Sequence, residues 1–219
     1  MISTNYFSEA DRKIIQDAIA AAEKRTGAEM VCALSTESGR YDRAESMIGL
    51  VGSMLALLAA YQCCCSKGAC PISPLVCSWA AVLLGFIAGS LLASFCRVLR
   101  RPIVSDAEME SEVHRSAAYV FSMKRLASTR EHAGLLIYVS LFERRVVILG
   151  DEGVMKATGQ PFLNKLRDLA VSRLKEGRCV ETFTDTIRAA ADELSQKLPA
   201  LKTDKNELPN QLLVFHPRP

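Results

Sequence analysis

Two long stretches without a charged residue interrupt the pattern of apolar and polar positions in this chain. The first is Ser46–Ser66, with Met47–Cys65 as its apolar body, and the second is approximately Leu75–Cys96; only the loop Lys67–Pro74 separates them. Each is long enough for a helix that crosses the roughly 30 Å hydrocarbon core of a bilayer, which takes about 20 residues. The pattern predicts a transmembrane helical hairpin. The alternative is a pair of helices buried in a soluble core.

Small residues recur within both stretches. They are Gly49, Gly52, Ser53, Ala56, Gly85 and Gly89. Small side chains let the backbones of neighbouring membrane helices approach closely. We therefore expect the two helices to pack against each other through these positions.

The segment before the hairpin reads as a helix, a strand and a loop. Ser8 is predicted to cap a helix that ends near Arg25, because Asp11 lies three residues further on, as in a capping box. Glu29–Leu34 is apolar on both faces and predicts a strand in the middle of a covered sheet. Ser35–Arg40 is polar and predicts a loop that leads into the hairpin.

The segment after the hairpin begins with a helix and two strands. Helical spacing of apolar residues predicts a helix over about Asp106–Ala127. Leu135–Leu141 and Val146–Leu149 predict strands, and the short link Phe142–Arg145 predicts that they form an antiparallel hairpin. Gly150–Gly153 then predicts a turn.

Two amphipathic helices and a tail complete the chain. The helices are predicted over Pro161–Glu176 and Cys179–Leu198. The tail Lys202–Pro219 is polar apart from Leu212–Phe215, which is either an extra strand or part of a disordered end. The predicted fold is α/β, a central mixed sheet flanked by helices. One domain, residues 1–40 and 102–201, is interrupted by a transmembrane hairpin at 41–101 and followed by a tail at 202–219.

The distribution of basic residues predicts orientation. Those at the outer ends of the hairpin are Arg40, Arg43, Arg97, Arg100 and Arg101. The connecting loop carries only Lys67. Because basic flanks stay cytoplasmic, both soluble parts and both termini are predicted in the cytoplasm, with the arginines facing anionic headgroups.

Met1–Phe7 has no apolar core and does not read as a signal peptide. A net charge of +3 gives no case for nucleic-acid binding.

Most cysteines lie in or near the apolar stretches. They are Cys63, Cys64, Cys65, Cys70, Cys77 and Cys96. Cys63–Cys65 with Cys70 either pair or bind a soft metal, if the side that they face is oxidising, or pack as small polarizable side chains. Cys32 and Cys179 read as ordinary residues of a reducing cytosol.

Acidic residues at predicted strand ends are candidate metal ligands. Asp151 and Glu152 follow one strand, and Glu29 begins another. Ligand sites of open α/β sheets collect at strand ends, and adjacent carboxylates hold hard cations such as Ca²⁺ or Mg²⁺. The alternative is a solvated turn. Glu143 is a further candidate, but the hairpin places it at the opposite end of the strands from Asp151.

Hydrolase chemistry has little support from motifs. The histidines His114, His132 and His216 are scattered, and Cys179 is not followed by the spacing of a cysteine phosphatase. Arg144 and Arg145 either meet a phosphate or a lipid headgroup, or form a charged hairpin tip.

Several segments resemble TPM domains, which are named for thylakoid lumen, photosystem II repair and receptor-modulator proteins. They are Phe7–Ala10, Thr26–Val31, Gly134–Ser140, Glu143–Val146 and Asp151–Val154. The chain is most similar to a bacterial branch whose domain is interrupted by two membrane helices and ends near Asn206–Pro209.

The resemblance implies a sheet flanked by helices in a bacterial inner-membrane protein. Family members are described as weak acid phosphatases, calcium binders or helpers in membrane-complex assembly. We therefore expect a membrane-anchored binding or assembly module, with the bilayer, other membrane proteins and a second copy as partners. A metal-dependent phosphatase at the membrane surface is the alternative.

Overall fold

The structure, a computed structural model, describes residues 7–67, 73–124, 126, 133–200 and 210–219, without the side chains of residues 64–67 and 97. The chain divides into two compact units. One combines Met1–Gly39 with Met109–Pro219, and the other is Arg40–Glu108. The first is called the sheet unit below, and the second the hairpin unit.

Eight helices and four strands are present in the described residues. The helices are α1 (Glu9–Glu23), α2 (Asp42–Lys67), α3 (Pro74–Phe95), α4 (Arg97–Arg100), α5 (Asp106–Met123), α6 (Glu152–Thr158), α7 (Gln160–Lys175) and α8 (Cys179–Lys197). The strands are β1 (Glu29–Ser35), β2 (Gly134–Ser140), β3 (Arg145–Gly150) and β4 (Leu213–Phe215).

The strands form one mixed sheet in the order β3-β2-β1-β4. β1 runs parallel to β2 and to β4, whereas β2 and β3 form the predicted antiparallel hairpin. Residues of α1, α6, α7 and α8 pack on one face of the sheet, and residues of α5 pack on the other. The predicted α/β class, a mixed sheet flanked by helices, is confirmed.

β1 is buried on both faces, as its continuous apolar sequence predicts. Met30, Cys32 and Leu34 contact the core beneath α1, α7 and α8, while Val31 and Ala33 contact the core beneath α5. Because successive side chains of a strand point to opposite faces, a strand covered on both sides needs apolar residues at every position.

Several predicted boundaries differ from the structure. The predicted turn Gly150–Gly153 is instead the start of α6, because the Asp151 side chain accepts a hydrogen bond from the Val154 amide and caps that helix. Leu213–Phe215 forms a strand and not a disordered end. α5 ends at Met123, and most of its predicted last turn lies outside the described residues.

The hairpin unit is an antiparallel pair of closely packed helices. A Cβ added at Gly52 would lie 2.5 Å from the Gly85 carbonyl oxygen, and one added at Gly89 would lie 2.8 Å from that of Ile48. The Ser53 hydroxyl lies 3.1 Å from the carbonyl oxygens of both Gly49 and Val82, so it links the helices. The predicted packing through small residues is confirmed.

By length and composition, α2 and α3 are both long and apolar enough to cross a membrane. In the most apolar 18 residues of each helix, only 11% are buried for α2 and 6% for α3. At their outer ends, Arg100 Nη1 lies 3.0 Å from Glu45 Oε1, and the Ser94 hydroxyl donates to Glu45 Oε2. The Arg100 side chain is only 5% exposed. Arg100 is therefore an internal ion-pair partner and does not belong to the predicted basic patch on lipid headgroups.

Candidate functional site

The predicted metal ligands Asp151 and Glu29 lie at the same end of the sheet. Glu29 pairs with Gly134 in the β1–β2 register, and the Asp151 amide donates to the Gly134 carbonyl from the other side at 2.9 Å. Asp151 is buried, and its Oδ1 accepts from the Val154 amide at 3.1 Å. One of its oxygens is thus already committed to capping α6.

Glu152 does not join them. It lies in the first turn of α6, where its carboxylate pairs with Lys156 at 2.7 Å and both side chains are 74% exposed. The predicted trio is therefore not brought together. Among the described residues, no group of three or more His, Cys, Asp or Glu side chains has the spacing to hold a metal ion.

Glu23 is a further candidate for a functional carboxyl group, and the sequence analysis did not identify it. Its Oε1 accepts a hydrogen bond from the Met30 amide at 3.0 Å. Burial raises the pKa of Glu23 to about 7, and the charge of Glu29 adds to the shift, while hydrogen bonds to Met30 and Asn210 oppose it. Glu23 follows Ile19 by one helical turn, so its spacing on the buried stripe of α1 was the available signal.

The opposite end of the sheet carries a buried polar group, called here the carboxyl-end cluster: Ser38, Tyr138, Ser140 and Glu143. Glu143 accepts hydrogen bonds from the amides of Ser38 (2.9 Å) and Gly39 (3.3 Å) and from the Ser140 hydroxyl. The Ser38 hydroxyl lies 2.9 Å from the Tyr138 hydroxyl and 2.8 Å from that of Ser140. Parallel strands β1 and β2 both end here, where open α/β sheets place ligand sites.

The geometry of this cluster favours holding the backbone in place over catalysis. A hydroxyl beside a carboxylate resembles a nucleophile with its base, but Ser140 is fully buried and Glu143 is 4% exposed. Glu143 instead ties the loop after β1 to the turn after β2. Burial raises the pKa of Tyr138, so its hydroxyl stays neutral within this network. As predicted, Glu143 and Asp151 lie at opposite ends of β2.

The same end of the sheet holds the segment that contains β4. The carbonyl oxygen of Pro217 lies within hydrogen-bond distance of the Glu37 amide (3.0 Å), the Ser35 hydroxyl (3.0 Å) and the Thr36 hydroxyl (3.1 Å). The His216 ring contacts the same Thr36 hydroxyl at 3.0 Å. His216 is thus engaged in the fold, whereas His114 is exposed on α5 and His132 lies outside the described residues.

The remaining predicted basic residues occupy varied positions. Arg40 and Arg43 are exposed, Arg101 is half-buried, and the side chain of Arg97 lies outside the described part. Arg144 is exposed in the β2–β3 turn, and Arg145 lies 3.5 Å from Glu110 of α5.

An open groove of about 400 Å³ separates the outer surfaces of α1 and α8. Its floor is formed by alanine and isoleucine side chains, including Ile14, Ala18 and Ile187. Arg25 at its rim pairs with Asp192 at 2.7 Å. The groove is therefore an apolar surface with an engaged charge at its edge.

The comparisons with known proteins identify a shared fold but do not assign a family. No family model matches this chain, and no curated protein matches it. A solved structure does: the NMR structure of the BA42 protein from the psychrophilic bacterium Bizionia argentinensis. It is 20% identical over 98% of this chain and 99% of that chain, with a TM-score of 0.60. At this identity, the similarity shows that the two chains share a fold.

Proposed function

We propose that this chain is a membrane-anchored binding or assembly module of the TPM type, whose sheet unit acts on other membrane proteins. One observation carries the anchor: α2 and α3 pack on each other through glycines while their leucine, valine and isoleucine side chains face outward. Leu50, Leu55 and Leu84, for example, are 63–64% exposed. Such a continuous apolar surface is stable in lipid and costly in water.

The aromatic residues of the hairpin support the same proposal. Tyr61 lies near the end of α2 and Trp79 near the start of α3, and they are 68% and 70% exposed. Both lie about two turns or less from the connecting loop. Tyr and Trp prefer the interface between lipid and water, so they fit one boundary of the bilayer, while Arg40 and Arg43 fit the other.

The antiparallel hairpin supports an orientation with both soluble segments on one side. Its outer ends lie together, so the segments that build the sheet unit leave the bilayer on one side. The outer ends of the hairpin carry five arginines, whereas the connecting loop carries only Lys67. This excess of basic residues at the outer ends favours the cytoplasmic side of a bacterial inner membrane for both soluble segments.

Labelling of single cysteines tests the anchor and its orientation. In a chain whose native cysteines are replaced, Ser73→Cys lies at the loop end of the hairpin and Ser105→Cys beyond its outer end, and both serines are exposed. We expect an impermeant maleimide to label Ser73→Cys in intact spheroplasts and Ser105→Cys only after lysis. The protein should also resist extraction from membranes by alkaline carbonate. Labelling of both positions in intact spheroplasts, or release by carbonate, would contradict the proposal.

Affinity capture tests the binding role. The full chain, solubilised in mild detergent, is expected to retain a reproducible set of membrane proteins. Segment 40–108 alone is the control, because it has the same apolar helices and lacks the sheet unit. Equal retention by both would show that detergent-exposed helices, and not the sheet unit, capture the proteins.

A metal-dependent phosphatase is the second candidate, and one observation favours it. Glu23 is a carboxyl group with a pKa of about 7 beside Glu29, and such a group can exchange protons at neutral pH. Purified protein with Mg²⁺ or Ca²⁺ should then release phosphate from a generic ester, and Glu23→Gln should abolish the release. Turnover no higher than that of a metal-only blank would eliminate this candidate.

A further inference from the structure

β4 occupies the outer edge of β1 through a short pairing. Ala33, Leu34 and Ser35 pair with Leu213, Val214 and Phe215, whereas β1 pairs with β2 along all seven of its residues. The β4 residues are each half-buried. The pairing is therefore small enough to open without disrupting the rest of the sheet.

Beyond this pairing, the end of β1 forms a specific receptor for an extended chain. The Thr36 amide donates to the Phe215 carbonyl at 3.2 Å, and the Glu37 amide donates to the Pro217 carbonyl at 3.0 Å. With the segment in place, residues Ser35 and Thr36 are 0% and 1% exposed, and their hydroxyls also reach the Pro217 carbonyl. Each hydroxyl also has a second partner. The Ser35 hydroxyl shares its single hydrogen with the Glu37 carbonyl, whereas the Thr36 hydroxyl contacts the His216 ring, whose nitrogen donates or accepts according to its tautomer.

The 210–217 segment helps to bury these hydroxyls and amides, so its departure exchanges their hydrogen bonds for bonds to water. Each protein hydrogen bond that is regained on binding contributes about 0.5–1.5 kcal/mol. An extended peptide with branched or aromatic residues before a proline pairs with the strand edge and satisfies all four donors, the amides of Thr36 and Glu37 and the hydroxyls of Ser35 and Thr36. This is strand addition, in which backbone hydrogen bonds supply affinity and side-chain contacts supply selectivity.

The connection that precedes the 210–217 segment is long. α8 ends at Lys197, Ala200 is the last described residue after it, and Asn210 is the next, so ten peptide steps separate Ala200 from Asn210. At about 3.3–3.6 Å per residue, those steps reach up to roughly 35 Å. Exchange of β4 between two copies would keep every contact of the groove. The equilibrium between the monomer and the exchanged dimer then depends on the protein concentration and on the length of this connection.

We propose that the edge of β1 and the segment Ser35–Glu37 form a peptide-binding groove that takes the 210–217 segment of a second copy as well as its own, so that two chains exchange β4 and form a dimer.

Mixed disulfide formation tests the exchange directly. One tagged chain carries Ala33→Cys and a differently tagged chain carries Leu213→Cys. These positions are direct partners in the register, and paired strands lie within the Cα separation that a disulfide allows. After co-expression and mild oxidation, we expect a dimer that contains both tags. Each variant co-expressed with the unsubstituted chain gives the background from the native cysteines.

The double variant Ala33→Cys/Leu213→Cys controls for the chemistry. If it closes within one chain while no mixed-tag dimer forms above background, β4 stays in its own chain and the proposal is overturned. The mass of the full chain in detergent gives an independent result. We expect a dimer that becomes a monomer when residues 210–219 are deleted, and a monomeric full chain at all concentrations would also overturn it.

Competition by a synthetic peptide of residues 210–219 tests the groove. Because the Phe215 carbonyl faces β1, the Phe215 amide faces β1 as well, and the Val214 amide faces away. Excess peptide should lower the yield of mixed dimer at least tenfold. Methylation of the peptide nitrogen of Phe215 should abolish this competition, and methylation of that of Val214 should preserve it. Equal effects of the two methylated peptides would contradict strand addition at this edge.

Discussion

Glu143 and Glu23 are both carboxyl groups within the sheet unit, but their surroundings give them different roles. Glu143 accepts hydrogen bonds from two amides and one hydroxyl, which compensate for its burial. Glu23 is hydrogen-bonded to the Met30 amide and to Asn210, but it is also close enough to Glu29 for the charge of Glu29 to raise its pKa further. The sequence indicated Glu143 as a strand-end acid, but its partners Ser38 and Gly39 are distant in sequence. Only the fold of the loop after β1 brings them together.

Replacement of Glu143 by alanine should destabilise the sheet unit. The amides of Ser38 and Gly39 and the Ser140 hydroxyl would lose their acceptor inside the protein, which we expect to cost about 3 kcal/mol. The labelling rate of Cys32 can measure this, because Cys32 is fully buried in β1 and reacts only when the unit opens. Glu152→Ala is the matched control at an exposed position. Equal labelling rates in the two variants would show that the cluster does not hold the loop.

Glu23 should make the stability of the sheet unit depend on pH. Its pKa is raised from 4.5 to about 7 on folding, so the folded state binds the proton more tightly. This contribution is fully present below pH 4.5 and is lost as the pH rises to about 7. A fully buried carboxyl would lose about 3 kcal/mol over that range, and the partly exposed Glu23 less. Glu23→Gln keeps an acceptor for the Met30 amide. In this variant, the midpoint of denaturant unfolding should vary less between pH 5 and 8 than in the unsubstituted chain. If the midpoint of Glu23→Gln depends on pH as strongly as that of the unsubstituted chain, a group other than Glu23 causes the dependence.

At the scale of elements, the strongest patterns in the sequence predicted the structure best. The capping box at Ser8 is present, and α7 and α8 lie within one or two residues of their predictions. α6 was missed because it is short and contains Gly153, so its apolar residues do not complete a periodic stripe. Asp151 illustrates the ambiguity: an acid after a strand suits a metal site, a turn or a helix cap, and the deciding contact is the Val154 amide.

The hairpin elements depend on backbone contact at the glycines. Gly52→Val would force a side chain into the Gly85 carbonyl, whose oxygen is backbone and moves only with the helix. We expect a loss of about 1–3 kcal/mol, as overpacking typically costs, and a lower thermal midpoint in detergent. Ala88→Val adds a side chain at an exposed position of α3 and is the control. A similar midpoint for both variants would mean that the helices are not packed as described.

At the scale of the whole molecule, the sheet unit is assembled from both sides of the hairpin unit. β1 comes from the first segment, and its neighbours β2 and β4 come from the second. The sequence analysis predicted one domain, residues 1–40 and 102–201, that the hairpin interrupts. It did not predict the parallel pairing of β4, because three residues carry too little pattern to fix a partner or a direction.

Replacement of Arg40–Glu108 by a linker should therefore yield a folded, water-soluble sheet unit. The Ser116 hydroxyl donates to the Ser38 carbonyl at 3.1 Å, so the chain end at Gly39 lies beside α5. Met109 lies seven residues before Ser116, about 10 Å along the helix. A linker of about eight glycine and serine residues reaches up to roughly 26 Å and closes this gap without strain. Sedimentation and circular dichroism measure the outcome, with the full chain as the membrane-bound control. A linked chain that aggregates or lacks cooperative unfolding would show that the hairpin unit contributes to the core and does not merely interrupt it.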